Sequence, residues 1–133
     1  MKAWQFSEYG NHKDVLHWVD RDIPTPSNEG AIVQTSAVSL NFPDLLVTQG
    51  LYQVKAPLPA VPGVEGVGVV TETGDNSKFR VGDKVVGFCH GGGTLADYFE
   101  VSNNSAWRVP EHIPDTTLAA LSVTYGTSYF GLI

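Results

Sequence analysis

Cysteine, basic residues and long apolar runs are all scarce in this sequence of 133 residues. Its one cysteine, Cys89, excludes a disulfide within the chain, and no signal peptide follows Met1, so a cytoplasmic location is expected. The 8 basic residues against 14 acidic ones give a formal charge of −6. This charge argues against nucleic acid and anionic membrane as partners, because both attract basic patches. No stretch approaches the roughly 20 apolar residues of a membrane span.

Turn-forming residues are abundant instead, with 14 glycines and 8 prolines in a chain that is 42% hydrophobic. This composition predicts one folded domain with many turns. Strand-like patterns cover the ranges 2–6, 15–19, 30–40, 64–73, the end of 81–86, 94–101 and 107–109. Asn41 can cap a short helix over Asp44 to Thr48 that ends near Gly50, and 51–62 is interpreted as an ordered loop. The sequence therefore predicts a mainly β body with a few short helices.

The last segment differs from the rest because it is apolar and helix-like. Asp115 begins a predicted helix, and apolar residues then recur from Ala119 to Ile133 without a stop signal. We therefore expect the chain to be truncated inside this segment, which would cover a domain that follows. Left uncovered, such an apolar surface favours self-association. The alternative is a terminal helix that docks on the sheet.

Two glycine-rich segments suggest function but are interpreted as structural. Residues 63–68 read GxxGxG inside an apolar strand, whereas a dinucleotide fingerprint reads GxGxxG between a strand and a helix. Close backbone packing is therefore predicted for these glycines. Residues 90–93 read HGGG, like the oxyanion segment of some esterases, but the sequence has no GxSxG serine elbow. A turn is predicted there.

Potential metal ligands are few and poorly spaced. The candidates are Cys89 and four histidines, His12, His17, His90 and His112. Cys89 and His90 are adjacent, and neighbours along a strand point to opposite faces. Because zinc requires several ligands that converge with tetrahedral spacing, no metal site is predicted.

Asn41, Asp44 and Tyr52 form the most interesting candidate group, since they flank one short helix and the loop that follows it. Asn41 offers hydrogen-bond donors and an acceptor, and Tyr52 offers a phenol that can donate to a carbonyl oxygen. Helix capping also explains Asn41 and Asp44, and packing of a loop aromatic also explains Tyr52. The residues alone leave both interpretations open.

Six segments, in order along nearly the whole chain, match a known family. They are Ala37 to Asp44, Gly50 to Tyr52, Pro62 to Val70, Val81 to Val85, Thr94 to Tyr98 and Tyr125 to Tyr129. By this set the chain resembles the zinc-independent quinone oxidoreductase branch of the medium-chain dehydrogenase/reductase superfamily. The resemblance implies that residues 1–133 form a GroES-like, partly open β-barrel. This domain would carry the substrate side of an active-site cleft and be truncated before the dinucleotide-binding Rossmann domain.

The resemblance also implies that both zinc sites of the superfamily are absent. Zinc-dependent relatives have a Gly-His-Glu strand motif and an upstream cysteine near the position of Asn41. Here Val64 replaces the histidine, and no cysteine precedes Cys89. Residues 85–98 are too short a connection for the structural zinc lobe. Glu65 survives from the motif and is expected to be a buried structural carboxylate.

In this family, the implied activity is NADPH-dependent hydride transfer to a quinone or an α,β-unsaturated carbonyl compound. Asn41 and Tyr52 match catalytic and cofactor-binding residues that face the nicotinamide and the substrate. Thr127 matches a residue near the cofactor at the domain junction, and Asp44 is a supporting neighbour. Negative charge develops on the carbonyl oxygen, so Tyr52, Asn41 or a bound water would donate to it. We expect a homo-oligomeric parent enzyme, and a 133-residue chain that alone is inactive and binds little NADPH.

Three alternatives stay open. One is a binding or oligomerisation module that has kept the fold without the chemistry. The second is a zinc-type alcohol dehydrogenase, against which the missing cysteine and histidine argue. The third is an enoyl thioester reductase, which shares this domain. Nothing in these residues separates a quinone from an enone or an enoyl thioester.

Overall fold

The computed structural model describes residues 1–133, with seven strands and four α-helices. The strands are β1 (Lys2–Gln5), β2 (His17–Asp20), β3 (Gly30–Ser39), β4 (Glu65–Thr73), β5 (Lys84–Phe88), β6 (Tyr98–Ser102) and β7 (Ala106–Arg108). The helices are α1 (His12–Val15), α2 (Phe42–Gln49), α3 (Asp115–Ala119) and α4 (Gly126–Leu132), with a π-helical turn over Leu121–Tyr125. None of the helices has both the length and the apolar character needed to cross a bilayer.

The strands form two antiparallel sheets. Five strands pair in the order β6–β3–β4–β5–β7, and β1 pairs with β2. A register shift between Thr35 and Ala37 marks an irregularity in the pairing of β3 with β4, a feature that bends and twists a strand. An isolated bridge between Ala3 and Ala96 joins the small sheet to the segment before β6. Because β6 and β7 remain edge strands, the sheet does not close, and the predicted mainly β, partly open architecture with a few short helices is confirmed.

Three clusters of buried apolar side chains hold these elements together. The largest lies on the five-stranded sheet and consists of Ala31, Val33, Val70, Phe79, Val85, Phe99, Val101 and Ala106. The second packs α2 against α1 and the loop after α2, and we call it the α2 cluster; its members are Phe6, Val15, Val47, Ala56 and Ala60. The third fixes α3 on β4 and consists of Val67, Leu118 and Ala119. The last two clusters position α2 and the chain after α3, which carry the site described below.

The predicted strand over 15–19 is wrong at its start. Val15 is the last residue of α1, a single helical turn whose N-cap residue Asn11 accepts a hydrogen bond from the Lys13 N–H at 3.0 Å. The strand β2 therefore begins only at His17. One capped turn is too short to show a helical period, so the alternation of apolar residues does not reveal it.

The predicted strand over 94–101 begins only at Tyr98. Thr94 is instead held by residues at and just before the start of β4, because its N–H donates to the Gly63 carbonyl oxygen and its hydroxyl donates to the Glu65 carbonyl oxygen, each at 3.1 Å. The other predicted strands and the helix that ends near Gly50 are confirmed to within about two residues, the usual uncertainty of element ends.

The glycine-rich segments are structural, as predicted. Gly68 lies in β4 opposite β3, where an added Cβ would stand 1.9 Å from the Gln34 carbonyl oxygen. Gly91, Gly92 and Gly93 have φ angles of 106°, 109° and 127°, which side chains of L-residues rarely adopt. The turn predicted at 90–93 is therefore confirmed, and close backbone packing is confirmed at Gly68.

The apolar tail lies on the outside of the domain. Phe130 is 85% exposed, and Leu132 and Ile133 are each 86% exposed. The alternative in which the tail docks on the sheet therefore does not describe α4, although Leu118 in α3 is buried. That this surface covers a further domain, or associates with itself, stays a prediction.

Candidate functional site

A broad cleft opens between the β5–β7 side of the sheet and the chain after α3. Its volume is about 1060 Å³. Aromatic side chains are prominent in its wall, among them Tyr52, Phe88, Trp107, Tyr125 and Tyr129. A mainly apolar cleft with a few polar groups is the usual form of a binding site for a small organic ligand.

Tyr52 lies on this cleft in the loop after α2. Its ring packs against the α2 cluster, and its centroid is 6.1 Å from that of the His90 ring. The hydroxyl of Tyr9, on the same side of the domain, donates to the Ala56 carbonyl oxygen at 2.8 Å, whereas the Tyr52 hydroxyl has no hydrogen-bond partner within the chain. Packing therefore holds the Tyr52 ring and leaves its phenol available to a ligand.

Thr127 lies in the first turn of α4 and lines the same cleft as Tyr52. The two residues come from distant parts of the sequence, and the packing of α3 on β4, which places the chain after α3, brings them to one cavity. The structure thus places together two of the three residues that the sequence analysis selects.

Asn41 does not line this cleft. It precedes α2 and lines an adjoining cavity of about 410 Å³ together with Asp44, whereas Pro43 lines the large cleft. The backbone N–H of Asn41 donates to Asp44 Oδ2 at 2.7 Å, and its side-chain Nδ2 donates to Glu65 Oε1 at 2.9 Å. Asp44 therefore supports the start of α2, as the capping interpretation expects, while the Asn41 amide contacts a second buried carboxylate.

Glu65 connects the two cavities. It is the first residue of β4 and is 0% exposed, and its Oε2 accepts a hydrogen bond from the Val123 N–H at 2.8 Å. Val123 belongs to the π-helical turn and lines the large cleft. From the sequence, Glu65 is expected to be only a structural carboxylate. The signal in the sequence is a charged residue inside an apolar, glycine-spaced strand, since buried charges need specific partners.

The described residues contain no group of three His, Cys, Asp or Glu side chains placed to hold a metal ion. Val64, at the position of the missing histidine, is 1% exposed. The Cys89 thiol donates to the Glu100 carbonyl oxygen at 3.4 Å, and burial raises its pKa to about 12, with the nearby Glu100 charge adding to the rise. Cys89 is therefore a protonated thiol at neutral pH and a poor metal ligand. A zinc-free site stays a prediction.

Asp44 is a buried carboxyl group with backbone donors at Asn41, Gly63 and Val64. Burial raises its pKa above the ordinary value of 3.8. The N–H groups of Asn41 and Gly63 donate to its two oxygens at 2.7 Å and 3.1 Å and offset part of this rise. The nearby Glu65 carboxylate adds to the rise. Asp44 therefore keeps its proton to a higher pH in the folded chain than in the unfolded chain.

The stability of the domain should consequently depend on pH through Asp44. Above pH 3.8 and up to the raised pKa, the folded chain binds more protons at this group than the unfolded chain, so the free energy of unfolding should fall as the pH rises. Asp44→Asn should remove this part of the slope in urea unfolding measured across that window. As a control, Val47→Ala in the same helix should lower the whole curve and keep its slope. Parallel curves for wild type and Asp44→Asn would contradict the account.

Residues 27–111 match the family described as "Alcohol dehydrogenase GroES-like domain". Over 101 residues the chain is 39% identical to "Quinone oxidoreductase-like protein 2 homolog" of Nematostella vectensis. The aligned region covers 75% of this chain and 28% of that protein. Over 125 residues the chain is 37% identical to the mitochondrial "Enoyl-[acyl-carrier-protein] reductase" of Xenopus tropicalis. That aligned region covers 93% of this chain and 36% of the relative.

A similar solved structure is that of the Escherichia coli quinone oxidoreductase complexed with NADPH. The two folds agree with a TM-score of 0.90 at 26% identity, over 99% of this chain and 40% of that one. The GroES-like fold expected from the sequence is thereby confirmed. The chain spans less than half the length of each of these three proteins.

Proposed function

The chain belongs to the GroES-like domain family of the alcohol dehydrogenases, in its quinone oxidoreductase branch, and on this premise we propose that it is the substrate-side domain of an NADPH-dependent reductase. The substrates would be quinones or α,β-unsaturated carbonyl compounds. We propose further that residues 1–133 work beside a dinucleotide-binding domain and are inactive alone. A homo-oligomeric state and a cytoplasmic location stay predictions.

The observation that carries the proposal is the shared position of Tyr52 and Thr127 on one large, mainly apolar cleft. This cleft has a volume of about 1060 Å³, and its aromatic wall, including Phe88 and Tyr125, provides faces on which a flat ring system can pack. Tyr52 provides the hydrogen-bond donor that a carbonyl substrate requires. The residues of the cleft fit a nicotinamide, because the aromatic wall can pack against its ring and the Tyr52 and Thr127 hydroxyls can hydrogen-bond to its amide. The Escherichia coli relative was solved with NADPH.

When bound, NADPH supplies a hydride to an electron-poor carbon of the substrate. This transfer would place negative charge on the carbonyl oxygen of the substrate. The Tyr52 phenol would donate a hydrogen bond to that oxygen, which then takes its proton from solvent. Thr127 would contact the cofactor beside the cleft. Asn41, which lines the adjoining cavity, would contact the nicotinamide through the part of its amide that Glu65 does not hold.

We propose that this site works without zinc. The buried Val64 offers no ligand, and Cys89 is a protonated thiol hydrogen-bonded to Glu100. A metal would act as a Lewis acid on the carbonyl oxygen, which is the role that we assign to the Tyr52 hydroxyl. A zinc-type alcohol dehydrogenase is therefore disfavoured.

The experiment that tests this function measures NADPH oxidation by a protein that continues the reading frame beyond Ile133, with benzoquinone and cyclohexenone as substrates. We expect turnover with at least one of them and the same rate after treatment with a metal chelator. A rate lost with the chelator and restored by zinc would contradict the zinc-free proposal. No turnover with either substrate, in a folded protein, would favour a module without catalysis.

An enoyl thioester is the second candidate substrate. It is favoured by the 37% identity to the mitochondrial enoyl reductase of Xenopus tropicalis, over more of this chain than the match to the quinone oxidoreductase-like relative. Hydride transfer to the reacting carbon is the same for both substrate classes. They differ in whether the protein has residues that bind the rest of the thioester. Crotonyl thioester as a third substrate in the same assay decides between them by comparison of kcat/KM.

A further inference from the structure

One fully buried carboxylate contacts both parts of the candidate site. Glu65 Oε1 accepts from Asn41 Nδ2 at 2.9 Å, and Glu65 Oε2 accepts from the Val123 N–H at 2.8 Å. We infer that Glu65 is a positioning residue, which orients the Asn41 amide and at the same time fixes the π-helical turn that leads to Thr127. This inference rests on the proposed function for the meaning of the site, whereas the coupling itself is a property of the chain.

The contact with Asn41 determines which end of the amide faces Glu65. An asparagine amide has two N–H donors and one oxygen acceptor, and its two ends are nearly the same in shape. A carboxylate only accepts, so it selects the nitrogen end of Asn41. Because hydrogen bonds to a charged group are stronger than neutral ones, this contact holds the amide against rotation.

The contact with Val123 fixes a wall of the cleft. Val123 lies in the π-helical turn Leu121–Tyr125, near the start of a helical segment, where N–H groups lack partners within the helix. Glu65 provides a partner for this N–H from β4. Since Tyr125 and Thr127 follow directly and both line the cleft, their position depends on this anchor. Single π-helical turns are frequent at functional sites, where they displace the residues that follow.

A purely structural role of Glu65 makes a different prediction from a positioning role. If Glu65 only fills a polar gap, changes at Asn41 and at Glu65 should affect the stability of the domain and nothing else. If Glu65 positions the site, its exchange must alter the environment of the Asn41 amide and of the Val123 N–H together. A second exchange that restores matching donors and acceptors at positions 41 and 65 must then restore the environments of both groups.

Three variants test this by reversing the direction of one hydrogen bond. Glu65→Gln keeps the shape but has one acceptor and one donor. While the Asn41 amide keeps its orientation, either Asn41 or Val123 faces a donor and loses its bond; both bonds survive only if the Asn41 amide reverses. Asn41→Asp places a second carboxylate against Glu65. In the double variant E65Q/N41D, the new amide nitrogen at position 65 can donate to the new carboxylate at position 41, and its oxygen can still accept from Val123. Asn76→Asp, at an exposed turn, controls for the added charge.

The first measurement is ¹H–¹⁵N NMR of the 133-residue chain, with hydrogen exchange at the Val123 amide and the chemical shift of the Asn41 side-chain amide. We expect Glu65→Gln to move the Asn41 side-chain amide resonances and, where that amide keeps its orientation, to make exchange at Val123 at least about tenfold faster. In the double variant the exchange rate should lie within about twofold of wild type. Unchanged signals of both the Asn41 side-chain amide and the Val123 N–H in Glu65→Gln, or additive effects in the double variant, would overturn the coupling. If Glu65→Gln does not fold, Asn41→Ala replaces it, and an unmoved Val123 resonance there would overturn the inference.

The second measurement separates this inference from the proposed function. In the protein extended beyond Ile133, we expect Glu65→Gln to weaken NADPH binding by about tenfold and the double variant to recover most of it. If the wild-type protein does not bind NADPH, the proposed function fails, and the NMR data still decide whether Glu65 couples the two groups. If wild type and Glu65→Gln bind NADPH equally well, the positioning role is wrong even where the coupling is real.

Discussion

Replacing Gly68 with alanine should destabilise the domain by about 3 kcal/mol or more. The added Cβ would stand 1.9 Å from the Gln34 carbonyl oxygen and 2.8 Å from its carbonyl carbon. Both atoms belong to the backbone of β3, which pairs with β4 at this place. No side-chain rotation can remove this contact, so the two central strands of the sheet must separate locally. Urea unfolding followed by circular dichroism measures the loss.

Two other glycines provide matched controls for this prediction. At Gly66, two residues earlier in the same strand, an added Cβ would meet only side-chain atoms, the nearest being Val38 Cγ1 at 3.2 Å. Gly66→Ala should therefore cost less than about 1 kcal/mol. At Gly131 in α4 nothing lies within 4 Å, so Gly131→Ala should stabilise its helix by up to about 1 kcal/mol. Equal urea midpoints for Gly68→Ala and Gly66→Ala would show that β3 and β4 do not approach as described.

The second large effect is expected at Tyr52 in the protein extended beyond Ile133. Tyr52→Phe removes the proposed donor to the substrate oxygen and should lower kcat by about 100-fold. KM should change little, because the interaction strengthens only as charge develops in the transition state. Steady-state kinetics with the better of the quinone and enone substrates measures both values.

Tyr9→Phe is the control for the loss of a phenol. It removes a hydroxyl that donates to the Ala56 carbonyl oxygen and lies outside the cleft. This variant should lose about 1 kcal/mol of stability and keep its kcat. Tyr52→Phe should show the opposite pattern, since its hydroxyl has no partner within the chain. If Tyr52→Phe keeps the wild-type kcat, the donor to the substrate oxygen is not Tyr52, and Asn41 or a bound water takes that role.

The parts of the fold that the sequence predicts well are those with strong local patterns. The range 30–40 is β-prone over its whole length, and Gly68 lies in an apolar strand where only close packing explains repeated glycine. The start of β6 escapes prediction because a hydrogen bond from Thr94 to Glu65, distant in sequence, keeps the preceding residues out of the ladder. Local sequence propensity cannot predict a contact between residues so far apart in the chain.

The candidate site, too, has residues that the sequence indicates and contacts that it does not. Tyr52 and Asn41 stand out in the sequence because they flank one helix, but only the family resemblance gives them a role in a site, and it adds Thr127. That Tyr52 and Thr127 share a cleft follows only from the packing of α3 on β4, which places the chain after it. The bond between Glu65 and the Val123 N–H has no sequence signature, since any residue at 123 other than proline has that backbone group.

The most direct test of the central claim is a titration of NADPH into two proteins, the 133-residue chain and the same chain extended along its reading frame, followed by nicotinamide fluorescence. The account predicts saturable binding to the extended protein and little or none to the shorter chain, because residues 1–133 provide only the substrate side of the cleft. Tight binding to the shorter chain would contradict the claim that the site needs a second domain. Binding to neither folded protein would contradict the assignment as a reductase.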